Sequence, residues 1–586
     1  MASQLLKASG DLPPWAVAWI AAVDGQALHT APRMSARLLE RVCAGRGAGS
    51  SAERAALESR LIRLLHVLGR DQAVVSRTMT ACAQEADGAA SAQLRFYRIA
   101  ALHHLARHDE ADQATDAALE DNRLSPLWRS RLEGLATIHL CRRARVDEAR
   151  VAARRSLDAA AAATTTDSFT AAYALYAAAC CEASEESLEQ IDRGSALLGA
   201  DPESLDLRMM LMRRRLILLT TLGRQADFRA GVPNALALCE GLETVFAAEL
   251  LLTIAEANYR NGDWEQATAR LGRIDSEFPD AHFTARLHGI RTLIALHAGD
   301  TDAAAGHFAR MEEQVARRSA SAVVRDPFVS AARTLRAEAQ GDTEQALALA
   351  AGWLETPADL RPLECLAEVP DLVRLALAGD RAQLARDATR AAAAAADASR
   401  HDGAAAIAGL CHAVIDGDVD DLLEAAVSSH GRRLPLRTGF ALEEAAVRLA
   451  GTDLPRARQT LIAAVRTYHS IGAHWDVWRA NARTRELGVR PGPRSVLEPE
   501  PRGWRALTPR ERNIAALISQ GSSNQDIAAE LVLSVRTVQY HVANILMKLR
   551  LRSRAGIPEA VGTHLDDGTA APRLDQRRGR PVDSGP

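Results

Sequence analysis

Lysine is almost missing from this chain of 586 residues: only Lys7 and Lys548 occur, and arginine supplies the other 69 of 71 basic side chains. A bias that uniform follows from a GC-rich coding source, so abundant arginine by itself says nothing about nucleic acid. Aromatic residues are scarce at 4 %, although hydrophobic residues reach 47 %, because alanine and leucine carry most of the apolar content. That mixture disfavours β-sheet and suits helices packed closely on small residues. Eight cysteines, at positions 43, 82, 141, 180, 181, 239, 365 and 411, form no C-x-x-C pair. The adjacent Cys180-Cys181 has no nearby histidine partner, and the pattern reads as buried free thiols in a reducing cytoplasm. Long apolar runs are missing too. Trp15 to Val23 and Ala171 to Cys181 fall short of the roughly 20 residues a bilayer demands. Met1 to Trp15 lacks a charged start followed by an apolar core, so no signal peptide is expected and the expected location is the cytoplasm.

The length exceeds what one hydrophobic core supports and predicts several domains or a repeat array. Net charge is -3 overall, but Arg502 to His564 holds nine basic and four acidic residues, a local balance of +5 that leaves -8 on the remainder. A basic module on an acidic body fits a nucleic-acid-binding appendage.

Between about Glu53 and Leu487 the sequence alternates amphipathic helices with Gly-Asp turns. Gly262-Asp263, Gly299-Asp300, Gly341-Asp342, Gly379-Asp380 and Gly417-Asp418 recur at intervals of 37, 42, 38 and 38 residues, and Gly451-Thr452-Asp453 continues the series. Glycine is expected to end one helix in the left-handed conformation and aspartate to cap the next. Four residues on, Ala267, Ala304, Ala346, Leu384, Leu422 and Ala457 are expected on the inner face. Arg107 to Ala111 and Arg145 to Ala149 repeat the idea without glycine. The pattern resembles the tetratricopeptide class, with a longer period, and predicts a solenoid of helical hairpins whose concave surface suits a small ligand or a protein.

Other features there carry no chemistry. His103, His104 and His108 are close in sequence, but no cysteine or carboxylate completes a metal-ligand pattern around them. Arg213 to Arg215 reads as a solvated helix face and Ala391 to Ala396 as an alanine run within a helix. Gly45 to Ser51 lacks the lysine and Ser/Thr of a phosphate loop. No nucleophile–base–carboxylate set can be assembled, so no enzyme, no metal and no cofactor are expected.

Gly488 to Gly503 contains four prolines and three glycines and reads as an extended linker. Beyond it, Thr508-Pro509-Arg510-Glu511 is a helix start, with Ile514, Leu517 and Ile518 inward and Gly521 as the stop. Ser523 to Asp526 opens a second helix carried by Ile527, Ala528 and Leu531. Ser534 caps a third, with Val538, Val542, Ile545 and Leu549 inward. Two short helices joined by a tight turn make a helix-turn-helix. The outward face of the last helix then carries Arg536, Gln539, Tyr540, Ala543 and Asn544, residue types that read base edges. Arg536, Lys548, Arg550, Arg552 and Arg554 line the rims where phosphates would lie, and the helix starts at Ser523 and Ser534 add backbone amides. His541 reads as structural.

The run Leu507-Thr508-Pro509-Arg510-Glu511, Gly521 to Ala528, Leu533 to Val538, His541, Ile545 and Lys548-Leu549 through Ser553-Arg554 resembles the LuxR-type DNA-binding domain over about a tenth of the chain. The resemblance implies a four-helix domain whose third helix enters the major groove and whose fourth aids dimerisation. It implies base contacts at Gln539, Tyr540 and Ala543, and phosphate contacts at Asn524, Thr537 and Lys548; Arg536 and Arg554 join the phosphate set from their rim positions. Arg550 stands where the family has glycine. Gly556 and Pro558 predict a fourth helix that starts late or is short.

Together the parts resemble the C-terminal portion of the large ATP-binding LuxR-type regulators, with Ile471 to Trp475 and Glu486 to Gly488 similar to the close of their repeat region. No phosphate loop occurs from Met1 onward, so either a shortened family member or the product of a trimmed reading frame is expected, without ATP-driven switching. No room exists for a receiver domain ahead of the helices, which disfavours two-component signalling. The expected fold is all-α: a lead-in at 1–52, a tetratricopeptide-like array at 53–487, a linker at 488–503, a four-helix LuxR-type domain at 504–564 and a disordered tail at 565–586. The expected function is a sequence-specific transcriptional regulator, an activator with a sensing array; the alternative is a scaffold that assembles partners on DNA. Implied partners are double-stranded promoter DNA, RNA polymerase, an unidentified small-molecule or protein effector on the array, and a second copy as a homodimer, with no membrane.

Overall fold

Alanine-rich amphipathic segments broken by turns can hide their apolar faces only against one another, and the chain folds accordingly. The computed structural model describes residues 2–566, apart from 8–11, 24–27, 29–30, 46–50, 85–88, 144, 164–166, 200–203, 242, 280, 318–325, 356–362, 400–401, 432, 490–506, 508, 532, 534, 550 and 552. Among the described residues all regular secondary structure is helical and no strand occurs. No helix among them is long and apolar enough to cross a membrane. The expected linker from position 490 onward, and the expected tail after Asp566, lie outside the described residues.

From Ser51–Val67 with Asp71–Gln84 to Pro435–Leu449 with Leu454–Ser470, successive helices pair as hairpins, and His474–Glu486 closes the series. The first helix of a hairpin is generally the more enclosed. Val245–Asn261 starts where the Thr244 hydroxyl accepts the Ala247 N–H at 3.2 Å, and it buries eleven side chains. Its partner Trp264–Glu277 buries only Trp264, Ala267, Leu271 and Ile274, one stripe at helical spacing. The lead-in is packed as well. Leu5, Ile20, Leu39 and Val42 share an apolar cluster with Leu57, Leu61, Leu65 and Leu102.

The Gly-Asp turns behave as expected in part. Gly262, Gly299 and Gly341 adopt φ of +83°, +76° and +84°. Asp300, Asp342 and Asp453 accept the N–H three residues ahead at 3.0–3.1 Å, and Asp418 accepts those of Asp420 and Asp421. Asp263 makes no such side-chain bond. Two turns depart from the expectation. Gly417 is not left-handed, and at the fourth turn Gly379 has φ -93° while Asp380 takes the left-handed place at +61°. The cap there moves on by one: the Ala385 N–H bonds the Arg381 carbonyl at 3.2 Å. Ala385 is consequently fully buried and Leu384 only half-buried, whereas Ala267, Ala304, Ala346, Leu422 and Ala457 are buried as expected.

The array winds back on itself. His66 meets Phe246, His104 stacks on His282, and His297 Nδ1 lies 2.6 Å from Asp476 Oδ2, pairs separated by 178 to 180 positions. With hairpins every 37 to 42 residues, one superhelical turn takes between about four and five of them. At the seam between turns lies a buried ionic group. Arg479 bonds Asp476 at 3.0 Å and Glu443 at 2.8 Å, Arg483 bonds Glu443 at 2.6 Å, and the Tyr468 hydroxyl donates to Glu443 at 3.1 Å. Glu443 has no exposure at all. The cysteines that the sequence scatters are not all remote: Cys141 and Cys181 Sγ lie 3.8 Å apart.

Candidate nucleic-acid interface

The C-terminal unit is built from Pro509–Ser519, Asn524–Glu530, Val535–Leu549 and Ile557–Asp566, with a short 3-10 turn at Arg554–Gly556. Proline opens the first helix, where a missing N–H costs nothing; Thr508, its expected cap, lies outside the described residues. Ile514 and Ile518 are buried, Leu517 packs beside them, and Gly521 ends the helix at φ +93°. Ser523 and Asp526 form the expected reciprocal box: the Asp526 N–H bonds Ser523 Oγ at 3.2 Å and the Ser523 N–H bonds Asp526 Oδ2 at 2.8 Å. These bonds hold the Asp526 carboxyl below the usual carboxylate range. Two of the backbone donors at that helix start are thus consumed internally. Ser534, the other expected cap, lies outside the described residues.

The turn between the second and third helices is tight: the Leu533 N–H reaches the Ala528 carbonyl at 2.8 Å. Across it, Ile527 and Ala528 pack with Val538, Val542 and Ile545, at 0, 6, 0, 9 and 0 % exposure. That registers the third helix, because residues spaced by four and three turn inward together and those between them must face out. Gln539 and Ala543 are exposed, and Thr537 and Asn544 half-buried. Arg536, Tyr540 and Lys548 occupy positions on this helix, but their side chains, with Arg550 and Arg552 entirely, lie outside the described residues. His541 is buried at 1 % exposure, consistent with a structural role.

The fourth helix begins late, at Ile557, with Pro558 in its first turn. Ile557 and Val561 enter the domain's own core beside Leu507 and Ile514. Just ahead of it, Arg554 does what sequence spacing did not reveal. Its guanidinium donates to Asn524 Oδ1 and to the Ser522 carbonyl, so two expected phosphate residues form one fixed pair. With Oδ1 accepting from arginine, the Asn524 amide N–H₂ is left to donate elsewhere.

Within the array, the expectation that no carboxylate meets His104 is corrected. His104 Nδ1 lies 3.1 Å from Asp71 Oδ1, 33 positions back along the chain. His103 instead stacks on His139, with ring centroids 3.3 Å apart. Helix packing brought these groups together, and nothing in local spacing could have signalled it.

Residues 505–558 match the family described as bacterial regulatory proteins, luxR family, and form a LuxR-type helix-turn-helix DNA-binding domain. The chain is 53 % identical over 53 residues to a protein of Mycobacterium bovis named as an HTH-type transcriptional regulator, covering 9 % of this chain and 6 % of that one. It is 47 % identical over 58 residues to the nitrate/nitrite response regulator NarL of Escherichia coli K12, 10 % of this chain and 26 % of that one. The chain thus spans a small fraction of the length of the curated relatives it matches. Among solved structures, a Rap protein complexed with competence and sporulation factor overlaps 75 % of this chain and 99 % of its own, at 12 % identity and a TM-score of 0.37. The Cut9 subunit in the Cut9–Hcn1 assembly overlaps 94 % and 98 %, at 10 % identity and 0.33.

Proposed function

Given a LuxR-type DNA-binding domain joined to a superhelical array, we propose that the protein is a sequence-specific transcriptional regulator that binds promoter DNA in the cytoplasm and activates transcription. The observation that supports this most is the two-sided third helix. Val538, Val542 and Ile545 fix its inner face, leaving Gln539 and Ala543 exposed on the outer one. Gln539, Tyr540 and Ala543 read base edges, glutamine by paired hydrogen bonds to adenine and alanine against a thymine methyl. Arg536, Thr537 and Lys548 hold phosphates, and Arg554 presents the Asn524 amide to one.

The array senses an effector, a small molecule or a protein, and passes its state to the DNA-binding domain, which engages as a homodimer and contacts RNA polymerase. The concave surface of a superhelical array supports such a role, being suited to hold a partner along its length. We propose the divisions 1–52, 53–487, 488–503, 504–564 and 565–586.

Affinity capture of fragmented source-genome DNA on the full-length protein, followed by sequencing, tests the reading. Discrete promoter peaks are expected. Uniform recovery with no peaks from folded protein in moderate salt would overturn the claim of sequence selectivity.

A further inference from the structure

A cavity in the array has one wall of unusual composition. His66 ends the helix Ser51–Val67, His104 ends the helix Ala89–His104, and Asp71 opens the helix between them. One ligand atom from each lies within 4.8 Å of the other two. His66 and Asp71 are buried, at 7 and 5 % exposure, and His66 and His104 line the cavity.

We propose that His66, Asp71 and His104 bind a divalent first-row transition ion of the zinc and iron(II) class. Two imidazoles and one carboxylate are the donor set such ions prefer, whereas calcium and magnesium take oxygen ligands. His104 Nδ1 and Asp71 Oδ1 stand 3.1 Å apart, close to the edge of about 3.3 Å that tetrahedral bonds of about 2.0–2.1 Å generate. A metal bridging the two therefore needs almost no rearrangement of that pair.

A second observation points the same way. His66 Nδ1 is buried without a hydrogen-bond partner, a costly state for a polar nitrogen unless something coordinates it. Cavity size also decides between ligands. At about 120 Å³ it is smaller than the roughly 300 Å³ at which sites for organic ligands begin, yet it has room for an ion and the water completing its shell. The adjacent carboxylate is already engaged: Glu249 accepts from His282 Nε2 at 2.7 Å and faces Arg213 at 3.4 Å. His282 in turn stacks on His104 at 4.4 Å and so holds that ring in place. The site does not depend on the regulator reading, because metal binding and DNA capture are read separately.

The test uses full-length protein stripped with a chelator and desalted. Zinc is titrated against a chromophoric competitor, and cobalt(II) is added as a spectroscopic probe. One zinc per chain and an intense visible cobalt band, rather than the faint one of the hydrated ion, are expected. His104→Ala or His66→Gln should weaken zinc binding by about 100-fold or more, while the control His469→Ala/His474→Ala leaves it unchanged. Should an alanine variant fail to fold, Asp71→Asn keeps the volume, loses the anionic ligand and is expected to weaken binding likewise. Failure of the unaltered chain to retain zinc would overturn the proposal. So would zinc binding equally strong in the Asp71→Asn and His66→Gln variants.

Discussion

Side chains on one helix have separable jobs at the DNA interface, and mutations should separate them. Gln539→Ala with Tyr540→Ala removes groups proposed to read base edges, so the best sites should weaken by about 1–3 kcal/mol per lost contact while non-specific binding stays as it is. Lys548→Ala should instead weaken binding to every sequence alike and lower the salt dependence by about one phosphate's worth. Parallel binding curves on a captured promoter and on scrambled DNA check this; equal loss of selectivity from both would sink the role assignments. How these residues became legible is instructive. The inward spacing of Val538, Val542 and Ile545 is a local signal, and Gln539 and Ala543 emerge exposed as that spacing demands. The link from Arg554 to Asn524 and the meeting of His104 with Asp71 span about 30 positions each. Both arise from packing between helices, which periodicity along one helix cannot report.

At the scale of the element, the repeated turns look interchangeable in sequence and are not so in space. Gly262 and Gly341 both sit at left-handed φ, where any side chain is strained by about 1 kcal/mol. A Cβ on Gly341 meets open space, whereas one on Gly262 would lie 2.3 Å from Ile471 Cγ2 on the next superhelical turn. Gly341→Ala should therefore cost about 1 kcal/mol, and Gly262→Ala roughly 3 kcal/mol once overpacking is added. Urea unfolding of both variants measures the difference, and equal losses would mean that the turns do not press together at Ile471. The Gly-Asp rhythm made these helix boundaries readable. It misplaced one register because Asp380, with a short side chain that tolerates the left-handed region, takes the place expected of Gly379. Intrinsic preference favours glycine in that conformation, so the sequence points to the neighbour that the fold does not use.

Buried titratable groups spread through the array make the stability of the molecule as a whole depend on pH. The carboxyl of Glu443 would be raised by its burial, but the guanidinium groups of Arg479 and Arg483 outweigh that and hold it at about 2, against an ordinary 4.5. The unfolded chain then binds the proton more tightly than the folded one, so this contribution is complete above about pH 4.5 and is lost as the pH falls towards 2. Histidines act in the same direction at milder pH. Burial pushes His288 down to about 4, with Asp275 opposing, and pushes His139 well below its usual value. Both are neutral when folded and protonate when unfolded, so their contribution is full above about pH 6.5 and declines as the medium turns acid. Thermal unfolding of the unaltered chain should accordingly fall in temperature from neutrality to pH 5 and more steeply below 4.5. Glu443→Gln should flatten the lower part of that curve and leave the upper part intact. Glu443→Ala removes the buried carboxylate that Arg479 and Arg483 share, leaving them Asp476 and Glu444, and should cost about 3–5 kcal/mol at neutral pH, seen as earlier protease cleavage between hairpins. A Glu443→Gln chain whose acid unfolding matches the unaltered one would show that the ionised Glu443 carboxylate does not contribute to stability.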